Sequence, residues 1–178
     1  MVEHFRTRAQ DIYGELLEHR RWLHRHAEVS FQEEQTADYI RRFMQSLAIP
    51  FRCVAGTGTV AVIGHGEPCV ALRADMDALP IREQTGLPFA SERDGVMHAC
   101  GHDMHTAMLL GAARLLKEQE TQLRGSVVLL FQPGEEQLPG GAWLMLREGA
   151  LEELVPAFVF GQHVYLSLIH ISEPTRQA

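Results

Sequence analysis

HACGHDMH, residues 98–105, is the stretch that most constrains this 178-residue chain, because it places one thiol and three imidazoles within eight positions. Cys100 and His102 are separated only by Gly101, which lets the backbone turn tightly enough for both side chains to face one centre. The apolar run AMLLGAARLL at 107–116 predicts that this motif opens a helix, with Asp103 as a cap near its start. The sequence therefore predicts a metal site at the beginning of a helix.

Two downstream segments end in further residues of the types that bind metals. VVLLFQPGEEQ, at 127–137, predicts a buried strand and a Pro-Gly turn that delivers Glu135 and Glu136. His163 follows the apolar strand AFVFG in the same way. One glutamate can bind a metal while the other acts as general base toward water. Cys, His and Glu form the ligand set of a catalytic metal centre, so we expect the three segments to converge.

The remaining pattern predicts a single α/β domain with a mostly parallel sheet and helices on both faces. A first helix is expected from residue 3 to about 26, and a second, opened by a capping box of Ser30 and Glu33, runs to about Ala48. The predicted strands are 59–63 and 69–74, joined by a hairpin-like loop, then 126–131 and 157–160, with a helix at 141–148.

In such a sheet, binding sites form beyond the carboxyl ends of the strands. Asp75 and Asp77 follow the strand at 69–74, just as Glu135 and His163 follow theirs. Carboxylates placed this way orient metal-bound imidazoles, although an Asp-rich turn before Pro80 would have the same sequence. We expect all these residues to share one cleft.

Composition excludes several classes of function. The net charge of −7 argues against nucleic-acid binding, and no apolar stretch is long enough for a membrane span. Three widely spaced cysteines do not form a disulfide framework, so we expect a cytoplasmic protein. Two alternatives to a metalloenzyme remain: a non-catalytic metal-binding or partner-binding fragment, and a cysteine hydrolase in which His98 or His102 activates Cys100.

Four segments, in this order, resemble the amidohydrolase branch of the M20 metallopeptidase family: LRADMDALPI, MHACGHDMHTAMLLGAARLL, GSVVLLFQPGEE and GQHV. That branch includes hippurate hydrolases, N-acyl-amino-acid aminoacylases, N-acetyl-diaminopimelate deacetylases and auxin-conjugate hydrolases. The resemblance runs from about Arg21 to about Tyr165. In the segment containing His24, Ala27 stands where the family usually has proline.

The resemblance implies a zinc-peptidase-like catalytic domain that hydrolyses the amide of N-acyl amino acids. It implies two divalent metal ions, zinc or manganese, with cobalt or nickel as further candidates. By the same resemblance Glu135 is the general base and Asp75 and Asp77 support the ligands. The implied metal ligands are Cys100 (bridging both ions), His102, Glu136 and His163.

Residues 1–165 match the N-terminal part of such a domain, whereas 166–178 do not continue the family pattern and indicate a foreign or truncation-derived tail. The resemblance places a lid or dimerisation domain, through which a full-length protein would form a homodimer or oligomer, outside this chain. Apolar sheet edges would then be exposed. We therefore expect the 178 residues alone to be weakly stable and inactive.

Overall fold

The computed structural model of the protein describes residues 2–164, so Tyr165 and the predicted tail at 166–178 lie outside the described residues. The helices are α1 (Val2–Asp11), α2 (Tyr13–Arg25), α3 (Glu34–Ser46), α4 (His102–Glu118) and α5 (Gly141–Arg147), with a short 3-10 turn at Glu120–Gln122. The strands are β1 (Phe51–Val54), β2 (Gly58–Gly64), β3 (Cys69–Asp75), β4 (Ser126–Gln132) and β5 (Phe158–Gly161). Within this range no helix is long and apolar enough to cross a membrane.

The five strands form one mixed sheet in the order β1-β2-β4-β3-β5. Strand β3 pairs in parallel with β4 and β5, whereas the β1–β2 and β2–β4 pairs are antiparallel. The α/β class is confirmed, but the predicted mostly parallel sheet is wrong, since half of the pairings are antiparallel. The predicted hairpin between 59–63 and 69–74 is also wrong, because β4 lies between β2 and β3. A short apolar run carries no signal for strand direction or neighbour.

Helices cover both faces of the sheet, as predicted. On one face α3 and α4 pack against alternate residues of β2, β3 and β4, with Ile40, Leu110 and Phe131 fully buried among them. On the other face Met145 of α5 packs against the opposite set of strand residues, which includes Val128. This alternation places β3 and β4 in the centre of the domain and fixes the direction of their carboxyl ends.

The edge strand β5 differs from the central strands in its exposure. Phe158, Val159 and Phe160 each remain more than half exposed. An apolar edge of this kind was expected for the 178 residues alone. The position of β5 depends on its pairing with β3 and on the contacts made where it ends.

Two predicted helix boundaries are wrong. The first predicted helix is divided at Ile12, which lies between α1 and α2. The capping box does not form, since α3 begins at Glu34 and its N-cap residue, Glu33, makes no side-chain hydrogen bond to the first turn of the helix. Instead Ser30 and Glu33 are buried and bond to groups near the predicted site. A pattern match cannot distinguish a cap from two polar residues with tertiary partners.

Candidate metal centre

The parallel alignment of β3, β4 and β5 brings three strand ends to one edge of the sheet. Asp75 is the last residue of β3, Glu135 follows the end of β4, and His163 follows the end of β5. Helix α4 begins at His102 beside them, after Gly101 in the left-handed conformation with φ of 83°. These segments therefore lie close together in the structure, as the sequence predicted.

His102 is buried and is held by one of its two ring nitrogens. Its Nδ1 lies 2.9 Å from the carbonyl oxygen of Asp77 and 3.1 Å from Oδ1 of the same residue. Both are acceptors, so Nδ1 carries a proton, and in the neutral ring Nε2 presents its lone pair. Nε2 is buried and has no hydrogen-bond partner among the described residues. An unpaired acceptor of this kind is costly unless another group occupies the space in front of it.

Carboxylates surround that nitrogen at distances too long for hydrogen bonds. Asp75 Oδ1 lies 3.7 Å from His102 Nε2, Glu136 Oε1 3.8 Å and Glu135 Oε2 3.9 Å. An imidazole nitrogen and a carboxylate oxygen bound to one tetrahedral zinc ion lie about 3.3–3.6 Å apart, given metal–ligand bonds of about 2.0–2.2 Å, so the observed distances exceed that range only slightly. The spacing therefore suits a cation between these groups better than direct contact among them.

Cys100 joins the same group from the loop before α4. The potential ligand atoms of Cys100, His102 and Glu136 all lie within 4.8 Å of one another, and Cys100 Sγ lies 4.0 Å from His163 Nε2. All four predicted ligands thus lie around one space. The donor set of thiol, imidazoles and carboxylate fits zinc, and the excess of carboxylates also suits harder divalent ions.

The protein's own charges oppose a free thiolate at Cys100. Burial, followed by the nearby carboxylates of Glu136, Glu135 and Asp75, raises the pKa of the Cys100 thiol to about 12. A nucleophilic cysteine needs a positive neighbour that lowers its pKa. The environment of Cys100 therefore disfavours the cysteine-hydrolase alternative and suits a site that takes up cations.

Asp77 makes hydrogen bonds to both His102 and Glu136. One oxygen accepts from His102, while the other accepts the Ser30 hydroxyl at 2.7 Å and the Glu136 backbone N–H at 3.0 Å. Burial opposes the charge on Asp77, but these donors prevail and lower its pKa to about 2. Asp77, which is ionised at neutral pH, thus keeps Nδ1 of His102 protonated and fixes the backbone of Glu136.

Asp75 and His105 form a second buried group, and its histidine was not predicted to take part in the site. His105 Nδ1 donates to Asp75 Oδ1 at 2.6 Å, and its Nε2 accepts the Val164 backbone N–H at 2.9 Å. Burial disfavours the charged form of Asp75, yet His105, His102 and Arg73 lower its pKa. Asp75, His102 and His105 also have the spacing of a metal-binding triad, but both nitrogens of His105 are already engaged.

The turn that carries Glu135 and Glu136 is supported by residues that directly precede α3. Glu33, fully buried, accepts the Gly134 backbone N–H at 2.8 Å and the Thr57 hydroxyl at 2.6 Å. The Phe31 ring packs so closely on Gly134 that a Cβ there would lie 2.3 Å from it. The contacts of Glu33 and Phe31 with Gly134 join residues about 100 positions apart, which no local pattern reveals.

Asp103 does not cap α4, so that prediction is wrong. Its buried carboxylate instead accepts from His24 Nδ1 at 2.7 Å and pairs with Arg20 at 2.9 Å. His24 Nε2 also contacts Glu83 at 3.2 Å. His98 is buried beside His24, and burial lowers its pKa to about 4. Neither histidine was predicted as a ligand, and His24 instead ties α2 to the start of α4.

The fold and the site together define an α/β protein with a candidate metal centre at the carboxyl edge of its parallel strands. The chain belongs to peptidase family M20/M25/M40, whose family model matches residues 71–178. The sequence-based resemblance to that family is confirmed.

Relatives and solved structures agree with this membership. N-acetylcysteine deacetylase of Bacillus subtilis is 47% identical over 156 residues, covering 85% of this chain and 40% of the relative. N-acyl-L-amino acid amidohydrolase of Geobacillus stearothermophilus is 40% identical over 169 residues, covering 93% and 45%. The chain also matches the crystal structure of the Bacillus subtilis YXEP protein, with a TM-score of 0.81 and 45% identity. That protein is described as a dinuclear metal-binding peptidase of the M20 family, and the match covers 88% of this chain and 44% of that one. The chain thus spans about two fifths of the length of these curated relatives.

Proposed function

We propose that this chain carries most of the dinuclear metal centre of an amidohydrolase that cleaves the amide bond of N-acyl amino acids. The observation that carries the proposal is the buried, unpartnered Nε2 of His102, which faces the carboxylates of Glu135 and Glu136 at 3.8–3.9 Å. Cys100, His102, Glu136 and His163 would hold the ions.

When bound, the two divalent ions would polarise the scissile carbonyl and lower the pKa of a water molecule. Glu135 is the general base in this proposal. Its side chain is 42% exposed, so water and substrate reach it, and its Oε2 lies on the same side as His102 Nε2. Glu135 would take the proton from water and pass it to the leaving amine, which departs as a neutral group.

The remaining residues hold this arrangement in place. Asp77 keeps His102 in the tautomer that presents Nε2, and its second oxygen holds the Glu136 backbone. Asp75 lies 3.7 Å from the same Nε2 and adds negative charge that favours a cation. Outer groups of this kind change metal affinity by about 10–100-fold when they are removed.

Two kinds of evidence support the metal and the substrate class. Thiolate and imidazole donors favour zinc, carboxylates also accommodate manganese, and cobalt and nickel accept the mixed set. The relatives are named for the removal of an acyl group from an amino acid, which supports an N-acyl amino acid as substrate. We expect the 178 residues to bind divalent metal ions.

Metal content per chain tests the proposal. The metal-free protein is loaded with zinc or manganese, freed of excess ion and analysed by mass spectrometry of the metal. We expect about two equivalents for wild type and no more than one for Cys100→Ala, since a thiolate ligand is lost. Cys53→Ala is the matched control, because Cys53 is a free, exposed cysteine on β1. Equal metal content in wild type and Cys100→Ala, or equal loss in both variants, would refute the assignment.

A second comparison separates the general base from the ligands. Glu135→Gln is expected to retain two equivalents of metal, whereas Glu136→Gln is expected to lose at least one. Any release of acetate from an N-acetyl amino acid should be abolished by a chelator and by Glu135→Gln, and should survive alkylation of Cys53. Turnover that persists after chelation and stops only on alkylation of Cys100 would instead support a cysteine hydrolase.

A further inference from the structure

Val164, the residue after His163, is held at two points by the start of α4. Its backbone N–H donates to His105 Nε2 at 2.9 Å. Its side chain packs on Gly101 so tightly that a Cβ at Gly101 would lie 2.4 Å from Val164 Cγ2. Gly101 is flanked by Cys100 and His102, so both contacts join the end of β5 to the loop and helix that carry the other predicted ligands.

The bond from His105 is set by a chain of buried groups. His105 Nδ1 donates to Asp75 Oδ1 at 2.6 Å, which fixes the tautomer and leaves Nε2 as the acceptor for Val164. Asp75 and His105 are 1% and 2% exposed, so water does not compete for these bonds. The Asp75 backbone carbonyl in turn accepts the Thr106 hydroxyl at 2.8 Å, which ties β3 to α4.

The end of β5 needs this anchor more than the ends of β3 and β4 do. Strand β5 is an edge strand of four residues, all of them exposed. By contrast, every residue of β4 is buried. The His105 ring lies 5.0 Å from the His163 ring between centroids. Because Val164 is covalently joined to His163, a shift of Val164 would also move His163.

We propose that His105 is a positioning residue for the metal centre: through Asp75 on one side and Val164 on the other, it places His163 opposite Cys100. The inference rests on the proposed function for His163 as a ligand. Removing the His105–Val164 bond should loosen the end of β5 and weaken the metal site that includes His163, while the rest of the fold persists.

Two variants that differ by one methylene test the proposal. In His105→Asn the amide nitrogen replaces Nδ1 and still donates to Asp75, but the side chain is too short to reach Val164. In His105→Gln the longer amide can donate to Asp75 and accept from Val164. Thr106→Val is the control for a lost buried hydrogen bond on the same helical turn, since Thr106 bonds to Asp75 and not to Val164.

The first readout needs no metal. Amide hydrogen exchange of Val164 in metal-free protein should be about fivefold faster in H105N, since a hydrogen bond of about 1 kcal/mol is lost, and near wild type in H105Q and T106V. The second readout is cobalt binding, followed by the thiolate-to-cobalt absorption band. Affinity for one of two cobalt ions should fall about 10–100-fold in H105N and recover in H105Q.

The outcomes separate the two levels of the argument. Wild type that takes up no cobalt would overturn the proposed function and this inference with it. Wild type that binds two ions with H105N binding them equally well would overturn the inference alone. Unchanged Val164 exchange in H105N would also overturn it, and so would a loss of affinity as large in T106V as in H105N, because that would indicate only general destabilisation.

Discussion

Replacement of Asp77 by asparagine gives the sharpest test of the electrostatics of this site. The pKa of Asp77 falls from 3.8 to about 2 on folding, because donors from His102, Glu136 and Ser30 outweigh the cost of burial. Each pKa unit corresponds to about 1.4 kcal/mol, so ionised Asp77 stabilises the fold by about 2 kcal/mol at neutral pH. Asp77→Asn should lose roughly this amount.

The sign of the pH dependence follows from the direction of the shift. A group whose pKa is lowered on folding stabilises the protein above its unfolded pKa, here 3.8, and loses that contribution as pH falls toward about 2. The difference in free energy of unfolding between wild type and Asp77→Asn should therefore be about 2 kcal/mol at pH 7 and roughly half of that at pH 3.

Urea unfolding in the presence of a chelator measures this difference without a contribution from metal. Asp38→Asn is the control, because Asp38 forms an exposed ion pair with Arg42 on α3 and should change stability by less than about 0.5 kcal/mol. A gap between wild type and Asp77→Asn that is the same at pH 7 and pH 3 would refute the reasoning. It would show that the aspartate acts through packing and not through its charge.

Three other substitutions probe the fold around the site, each by urea unfolding. Gly101→Ala should destabilise the protein by at least about 1–2 kcal/mol, because Gly101 has a φ of 83° and contacts Val164 closely. The control Gly14→Ala on α2, where the added Cβ meets open space, should be neutral or stabilising. Equal effects of the two substitutions would contradict this reasoning. Phe131→Ala should lower the free energy of unfolding by about 3–5 kcal/mol, because the ring is fully buried between β4 and the helices. A decrease below about 1 kcal/mol would mean that the core is packed differently. Burial lowers the pKa of His24, but Asp103 and Glu83 outweigh burial and raise that pKa above 6.5. The stability of wild type should therefore exceed that of His24→Gln by more at pH 6 than at pH 9. A larger difference at pH 9 would refute the pairing of His24 with these carboxylates.

Several elements of the fold were predictable because their signals are local. The long apolar periodicity after HACGHDMH identified α4, and the continuous apolar runs identified β3 and β4 to within one residue at each end. The short strand β1 was not predicted, since FRCV carries only a weak pattern. The order of strands was wrong for a different reason: β2 and β3 are neighbours in sequence, but β3 pairs with β4 after the crossover through α4.

The candidate site, like the fold, has parts that the sequence predicted and parts that it did not. The predicted candidates Cys100, Glu136 and His163 meet around His102, as their positions at strand and helix ends indicated. The supports that hold them were not predicted. Ser30 and Glu33 were interpreted as a helix cap, but Ser30 bonds to Asp77 and Glu33 to the turn at Gly134.

The sequence by itself determined the types of ligand, their order along the chain and the placement of each at the end of an apolar element. Those properties depend on neighbours within a few positions, and such neighbours set local conformation. Only the tertiary structure decided that His105 bonds to Val164, that Asp103 bonds to His24, and that Asp77 serves His102 and Glu136 together. These contacts join residues 25–79 positions apart, where a buried polar group takes whichever partner the packed sheet and helices bring within reach.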